Sequence, residues 1–270
     1  MVLLDSPRRL ALLCLTLALT TAGRSAVPVA ANYTETFDTL GTGLPAGWGV
    51  WTDSAAAANG NTFAWNPTEI GNNTAASASS YFRNLPGAGQ VWTASLSTGS
   101  DRALGWRAGN AASRDGSITY TWAHTAGWSL TSLSVDLFTP NDAGTAATFA
   151  LEYQLGAAGS FSVLAGTTYS TRPTPTGSAA LEVTRIKLTA ADLQPLNNQT
   201  GPVTLRLTNT ATSGTTWNTV AVDNFNYTAT AAIPEPGSCA LLVGAAGLGL
   251  ALVGRRRRPG NETAGPLGIA

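Results

Sequence analysis

Four stretches of this chain alternate apolar and polar residues with a period of two, and this constrains the fold more than any other feature. Ile118, Tyr120 and Trp122 alternate with Thr119 and Thr121, and Leu133, Val135 and Leu137 with Ser134 and Asp136. Phe149, Leu151, Tyr153 and Leu155 alternate with Ala150, Glu152 and Gln154. Val203, Leu205 and Leu207 alternate with Thr204, Arg206 and Thr208. Successive strand side chains point to opposite faces, so this period marks half-buried antiparallel strands. Turn formers separate them at residues 140–144, 156–159 and 173–177. The expected architecture is all-β, a two-sheet antiparallel sandwich of jelly-roll type. A short helix is expected at residues 189–193, stopped by Pro195. Over residues 52–89 the pattern lapses into Ala, Asn, Ser, Thr and Gly, which predicts a long surface excursion partly ordered by Trp65, Tyr81 and Phe82.

The two ends read differently. Arg8 and Arg9 precede the apolar stretch 10–19, and small residues follow as far as Ala31. That order is a secretory leader, expected as a helix over residues 1–31. Val29-Ala30-Ala31 is one cleavage site, and Ala22-Gly23 and Ser25-Ala26 compete with it. Cys14 lacks the preceding small residue a lipoprotein site would want and reads as filler. Near the other end, Pro234, Glu235 and Pro236 precede the nearly uncharged run 239–254, followed by Arg255, Arg256, Arg257 and Arg258. As a single hydrophobic helix that run spans about 24 Å, just short of a comfortable bilayer crossing. The arginines would keep its end in the cytoplasm and leave the preceding chain outside. Prolines flanking Glu235 prevent a regular helix and hold an extended, protease-accessible backbone. The expected organisation is leader 1–31, sandwich 32–232, membrane segment 233–258 and a disordered tail 259–270.

This C-terminal arrangement resembles the PEP-CTERM sorting tail. The resemblance implies recognition by an exosortase, an integral-membrane transpeptidase-like enzyme, and delivery to an exopolysaccharide-producing surface. Two features depart from the pattern. Gly237 stands where Ser or Thr is common, with Ser238 one place late, and residues 259–270 trail the arginines.

Composition removes several function classes. The two cysteines, Cys14 and Cys239, both fall in the terminal segments, so the central domain has neither disulfide nor thiol nucleophile. Fifteen basic residues balance fifteen acidic ones, which leaves no basic field for nucleic acid. His124 is the single histidine, and no nucleophile-elbow pattern accompanies it. Asp136 and Glu152 form a nominal carboxylate pair for glycoside hydrolysis, as any two acids would. Eight tryptophans lie in the central domain. Sugar rings stack on exposed indoles, and Trp51, Trp65 and Trp106 fall near Gly- or Asn-rich stretches where such exposure is expected, with Arg102 and Arg107 as flanking groups.

Glu35-Thr36-Phe37-Asp38, Asp101-Arg102-Ala103-Leu104-Gly105, Ser132-Leu133-Ser134-Val135 and Ala221-Val222-Asp223-Asn224-Phe225 occur in an order that resembles a known β-sandwich domain. That domain accompanies some secreted bacterial nucleases and occurs in many surface proteins, within a broader group of MAM-like and carbohydrate-binding jelly rolls. The resemblance implies that first and last strands lie side by side. It also implies that Asp38 and Asp223 hold calcium, with Glu35 and Asn224 as helpers. Calcium takes about six to eight oxygens, so backbone carbonyls or water would complete the set. Three functions follow as expectations: an exported non-enzymatic surface or matrix protein, a calcium-assisted carbohydrate-binding module, and a secreted hydrolase.

Overall fold

The computed structural model describes residues 26–52, 54, 58–63, 65, 81–88, 101–107, 116–139, 148–171, 182–209 and 220–232. All but Ala232 belong to the first of two units, Met1–Ala231 and Ala232–Ala270. Residues 1–25 of the expected leader helix, the sorting motif and the hydrophobic run 239–254 lie outside the described residues, whereas residues 26–31 are described and are not helical: Val27 forms a β-bridge with Trp122. Among those residues no helix is long and apolar enough to cross a membrane.

The described chain is a two-sheet antiparallel sandwich, jelly-roll-like as the alternation predicts. Its strands are β1 (Asn32–Glu35), β2 (Trp48–Thr52), β3 (Asn61–Thr62), β4 (Tyr81–Pro86), β5 (Arg102–Arg107), β6 (Ser117–Trp122) and β7 (Trp128–Phe138). They continue as β8 (Thr148–Leu155), β9 (Ser162–Val163), β10 (Tyr169–Ser170), β11 (Val183–Thr189), β12 (Val203–Asn209) and β13 (Val220–Ala231). Sheet I has the order β11-β7-β13-β5-β4, with β1 also on β13. Sheet II has the order β10-β8-β12-β6-β2-β3, with β9 also on β8. Residues 190–193 form a turn leading into a 3-10 helix at Gln194–Leu196 instead of the expected α-helix. Pro195 allows nothing longer, and the Asp192 carboxylate accepts the Thr189 N–H and hydroxyl at 2.8 and 2.7 Å.

The apolar positions of the alternating strands meet between the sheets. Aromatic rings fill one end of this core. Phe37 packs edge-on against Trp48 at 4.7 Å, Trp48 against Phe225 at 5.0 Å, and Tyr120 against Trp122 at 5.0 Å. Phe37 has φ of 57°, uncommon for an aromatic residue. Full burial of its ring and a 2.7 Å hydrogen bond from its N–H to Glu35 Oε1 hold it there.

The excursion expected over residues 52–89 contains two strands, β3 and β4. β4 pairs with β5 from Tyr81↔Arg107 to Pro86↔Arg102. It shows no alternation because both of its faces are covered. Phe82 joins the main core, while Leu85 lies on the outer face of sheet I in a second cluster with Ala103, Phe138 and Ala221. Pro86 is tolerated because β4 is an edge strand.

Candidate functional site

The cavity between the sheets, bounded by Trp48, Ile118, Tyr120, Leu205 and Phe225 among others, measures about 20 Å³. That is room for one water and none for a sugar. A ligand-sized surface must therefore be sought on the outer faces.

Sheet II carries such a surface. Trp48 and Val50 of β2 enter the core, so Gly49 and Trp51 face outward. The Trp51 indole is half-buried, and its N–H donates to Thr119 Oγ1 at 2.8 Å. Gly49 makes this possible: a Cβ there would lie 2.5 Å from Thr119 Oγ1 and 2.9 Å from Trp51 Nε1. The ring is thus pinned beside the sheet by one hydrogen bond and one missing side chain. A Gly49→Ala variant is expected to displace the indole and change the accessible tryptophan signal in iodide quenching.

The register places Gly49 opposite Thr119, Thr119 opposite Arg206, and Arg206 opposite Glu152, one row across four strands. Arg206 is only 2% exposed. Its guanidinium makes an ion pair with Glu152, donates to the Ala58 carbonyl at 2.9 Å, and lies 3.6 Å over the Phe161 ring. On the next row the Thr121 and Thr204 hydroxyls meet at 3.2 Å. The outer face thus presents a partly open indole and the half-buried Thr121, with Thr119 and Thr204 buried, beside a roofed, neutralised ion pair.

The other two expected stacking residues are placed differently. Trp65 packs against the core and donates its indole N–H to the Leu40 carbonyl at 3.1 Å, leaving one side half-buried. Trp106 corrects the expectation: it is 1% exposed, between Phe82 at 6.1 Å and Phe149 at 5.6 Å. Arg102, Leu104 and Trp106 share the inward face of β5, so the glycine beside Trp106 marks no loop. Gly105 instead makes room for Leu85, whose Cδ1 would lie 1.9 Å from a Cβ there. Arg102 is also buried and bonds the Asn84 carbonyl at 2.7 Å, which removes it as a flank for a sugar. The side chain of Arg107 lies outside the described residues.

The expected acidic site falls at a junction in sheet I. β1 and β5 take successive parts of one edge of β13, with Glu35 opposite Phe225 and Leu104 opposite Val222. First and last strands therefore lie side by side, as the resemblance implies. Asp223 and Asn224 occupy the gap, where β13 shifts register against β7. Asp38 Oδ1 accepts the Arg102 N–H at 2.9 Å, and its Oδ2 accepts the Thr36 hydroxyl at 2.8 Å. Asp223 Oδ2 accepts the Ala88 N–H at 2.7 Å, and Oδ1 its neighbour Asn224 N–H at 2.6 Å. Asp101, to which sequence reasoning gave no role, adds a third carboxylate: its Oδ1 would lie 1.7 Å from a Cβ on Gly87.

Burial pushes the Asp223 carboxyl up to about 7, and the negative charges of Asp101 and Asp38 push the same way. All donors here are oxygens and carboxylates are in excess, which fits a hard cation in chemistry. Among the described residues, however, no three His, Cys, Asp or Glu side chains are grouped to hold a metal. The two helpers are engaged elsewhere. Glu35 serves Phe37 N–H and the Tyr33 hydroxyl, and Asn224 Nδ2 donates to Asp136 Oδ2 at 3.1 Å.

Because its folded pKa is raised, Asp223 binds a proton in the native state that the unfolded chain releases between about pH 4 and pH 7. Its contribution to stability is thus present at the low end of that window and lost as pH rises through 7. In chelator, Asp223→Asn should flatten the fall in melting temperature from pH 5 to pH 8; an unchanged slope contradicts the assignment.

Hydrolytic chemistry finds no assembled site among the described residues. Asp136 and Glu152 share strand faces with Ser134 and Gln154, on the outer sides of different sheets. Two packed layers about 10 Å apart therefore separate them. Asp136 is already gripped by Arg185 through two 2.6 Å bonds. His124 is exposed just after β6.

No protein-family model and no curated protein sequence matches the chain. Solved structures similar to it include a xylan-binding domain from Paenibacillus barcinonensis, 9% identical over 77% of this chain and 99% of that one, with a TM-score of 0.40. Another is a cleaved adhesin domain of Lys-gingipain from Porphyromonas gingivalis, 12% identical over 73% and 98%, with a TM-score of 0.38. A third is a family 11 carbohydrate-binding module from Clostridium thermocellum, 12% identical over 76% and 97%, with a TM-score of 0.33. Similarity at this level assigns no residue and no ligand here.

Proposed function

We propose that this chain is an exported, non-enzymatic surface or matrix protein whose sandwich holds polysaccharide on the outer face of sheet II. The observation that carries the reading is the Trp51 indole, half-open and fixed by Thr119 over Gly49. A pinned aromatic ring offers a sugar its apolar face without losing rotamer freedom on binding. The half-buried Thr121 on the next row, whose hydroxyl meets that of the buried Thr204, supplies a polar group that orients a sugar. Catalysis would require titratable groups converging beside that platform, and Glu152 is already committed to Arg206. On a polysaccharide array, the purified protein should bind at least one neutral glycan. Binding by Trp51→Ala at parental affinity would remove the platform from the account.

Sorting follows from the tail. An exosortase-type enzyme would act near Pro234, Glu235 and Pro236 while the run 239–254 and Arg255 to Arg258 hold the chain in the inner membrane. The product would reach the exopolysaccharide layer. Glu235→Ala should accumulate as a membrane-fraction precursor of unchanged mass, whereas normal release would refute this step. Calcium, if held, would sit between Asp38 and Asp223 and offset the charge that Asp101 adds. A chelator should then lower the melting temperature, and an identical melt would remove calcium from the proposal.

A further inference from the structure

The five residues before β1 belong to the sandwich. Val27 donates its N–H to the Thr121 carbonyl at 3.1 Å, and its own carbonyl accepts the Ala123 N–H at 2.8 Å. These bonds extend sheet II past Gly47 and form a parallel bridge between Val27 and Trp122. Val27 Cγ2 lies 3.0 Å from where a Cβ of Gly47 would sit, and the side chain packs against the main core. Val29 is 8% exposed within that core. Ala30 then donates to the Tyr227 hydroxyl at 3.3 Å, and the Ala31 carbonyl accepts the Ala229 N–H at 2.8 Å on sheet I. The segment thus leaves one sheet and joins the other beside the Trp122 and Tyr227 rings, which meet edge-on at 5.2 Å.

We propose that the leader is cut ahead of Val27, at the Ala22–Gly23 or Ser25–Ala26 bond, and that residues 27–31 are retained as this strap. The inference rests on the reading of the N-terminus as a secretory leader. A leader peptidase hydrolyses one peptide bond: water adds across it, leaving a carboxylate on the leader and a new amine on the domain. It needs small residues at the first and third positions before the cut. Thr20 and Ala22 meet that need for the first bond, and Gly23 and Ser25 for the second. Val29 and Ala31 offer a third choice, but a cut after Ala31 would strip the partners from Thr121, Ala123 and Ala229 and open the core over Trp122.

The test is N-terminal sequencing and intact mass of the protein secreted from the full chain in an exporting bacterial host. A start at Gly23 or Ala26 is expected. A start at Asn32, or anywhere after Val27, overturns the proposal while leaving the leader reading intact. An uncut chain overturns both. Val27→Asp gives an independent readout on the secreted product. Its melting temperature should fall by about 5 °C or more if the strap is retained. An unchanged melt contradicts retention.

Discussion

Glu152→Ala should melt about 10 °C below the parent, the largest loss expected from a polar substitution in this domain. Arg206 is almost wholly buried, and Glu152 is the carboxylate that neutralises it. Removing one member of a buried pair strands the other charge, at a cost of about 3–5 kcal/mol. For a domain of about two hundred residues each kcal/mol moves the midpoint by roughly 2–4 °C. Exposed pairs contribute only about 0–1 kcal/mol, so a shift below 2 °C would place Arg206 in solvent and contradict the described burial. The apolar double replacement, Arg206→Met with Glu152→Leu, should regain most of the loss, because two neutral side chains leave no charge without a partner.

The second large effect separates two tryptophans of the same expectation. Trp106→Ala removes a core ring between Phe82 and Phe149 and should cost about 3–5 kcal/mol. Polysaccharide binding by the fraction that remains folded should be unchanged. Trp51→Ala should do the reverse, weakening binding at least tenfold, or about 1.4 kcal/mol, with a melting shift of only a few degrees. Thermal melts and binding isotherms on the two variants decide this. The assignment fails if both variants lose stability equally and neither loses affinity.

What the sequence could reveal depended on where water lies. β6, β7, β8 and β12 were legible because each has a polar outer row against an apolar inner one. β4 was hidden because Leu85 on one face and Phe82 on the other are both covered, which erases the period of two. Trp51 was singled out only for its place near a Gly- or Asn-rich stretch; its outward position two places after Gly49 comes from the pairing of β2 with β6. Trp106 was misjudged because a neighbouring glycine signals a loop only when nothing packs over it, and Leu85 packs over Gly105. The pairing of Arg206 with Glu152 spans 54 residues and depends on strand register, which composition and spacing do not encode. Asp38 and Asp223 were singled out through the order of short motifs. Asp101 was overlooked because its role comes from the β4–β5 pairing that brings it over Gly87.

The most direct test of the central claim is a titration of the secreted protein and its Trp51→Ala variant with polysaccharides, followed by calorimetry. The account predicts binding of at least one neutral glycan by the parent and an affinity at least tenfold lower for the variant, with both proteins melting within a few degrees of each other. Equal affinity of the two, or no binding by the parent, would contradict a glycan-holding face on sheet II.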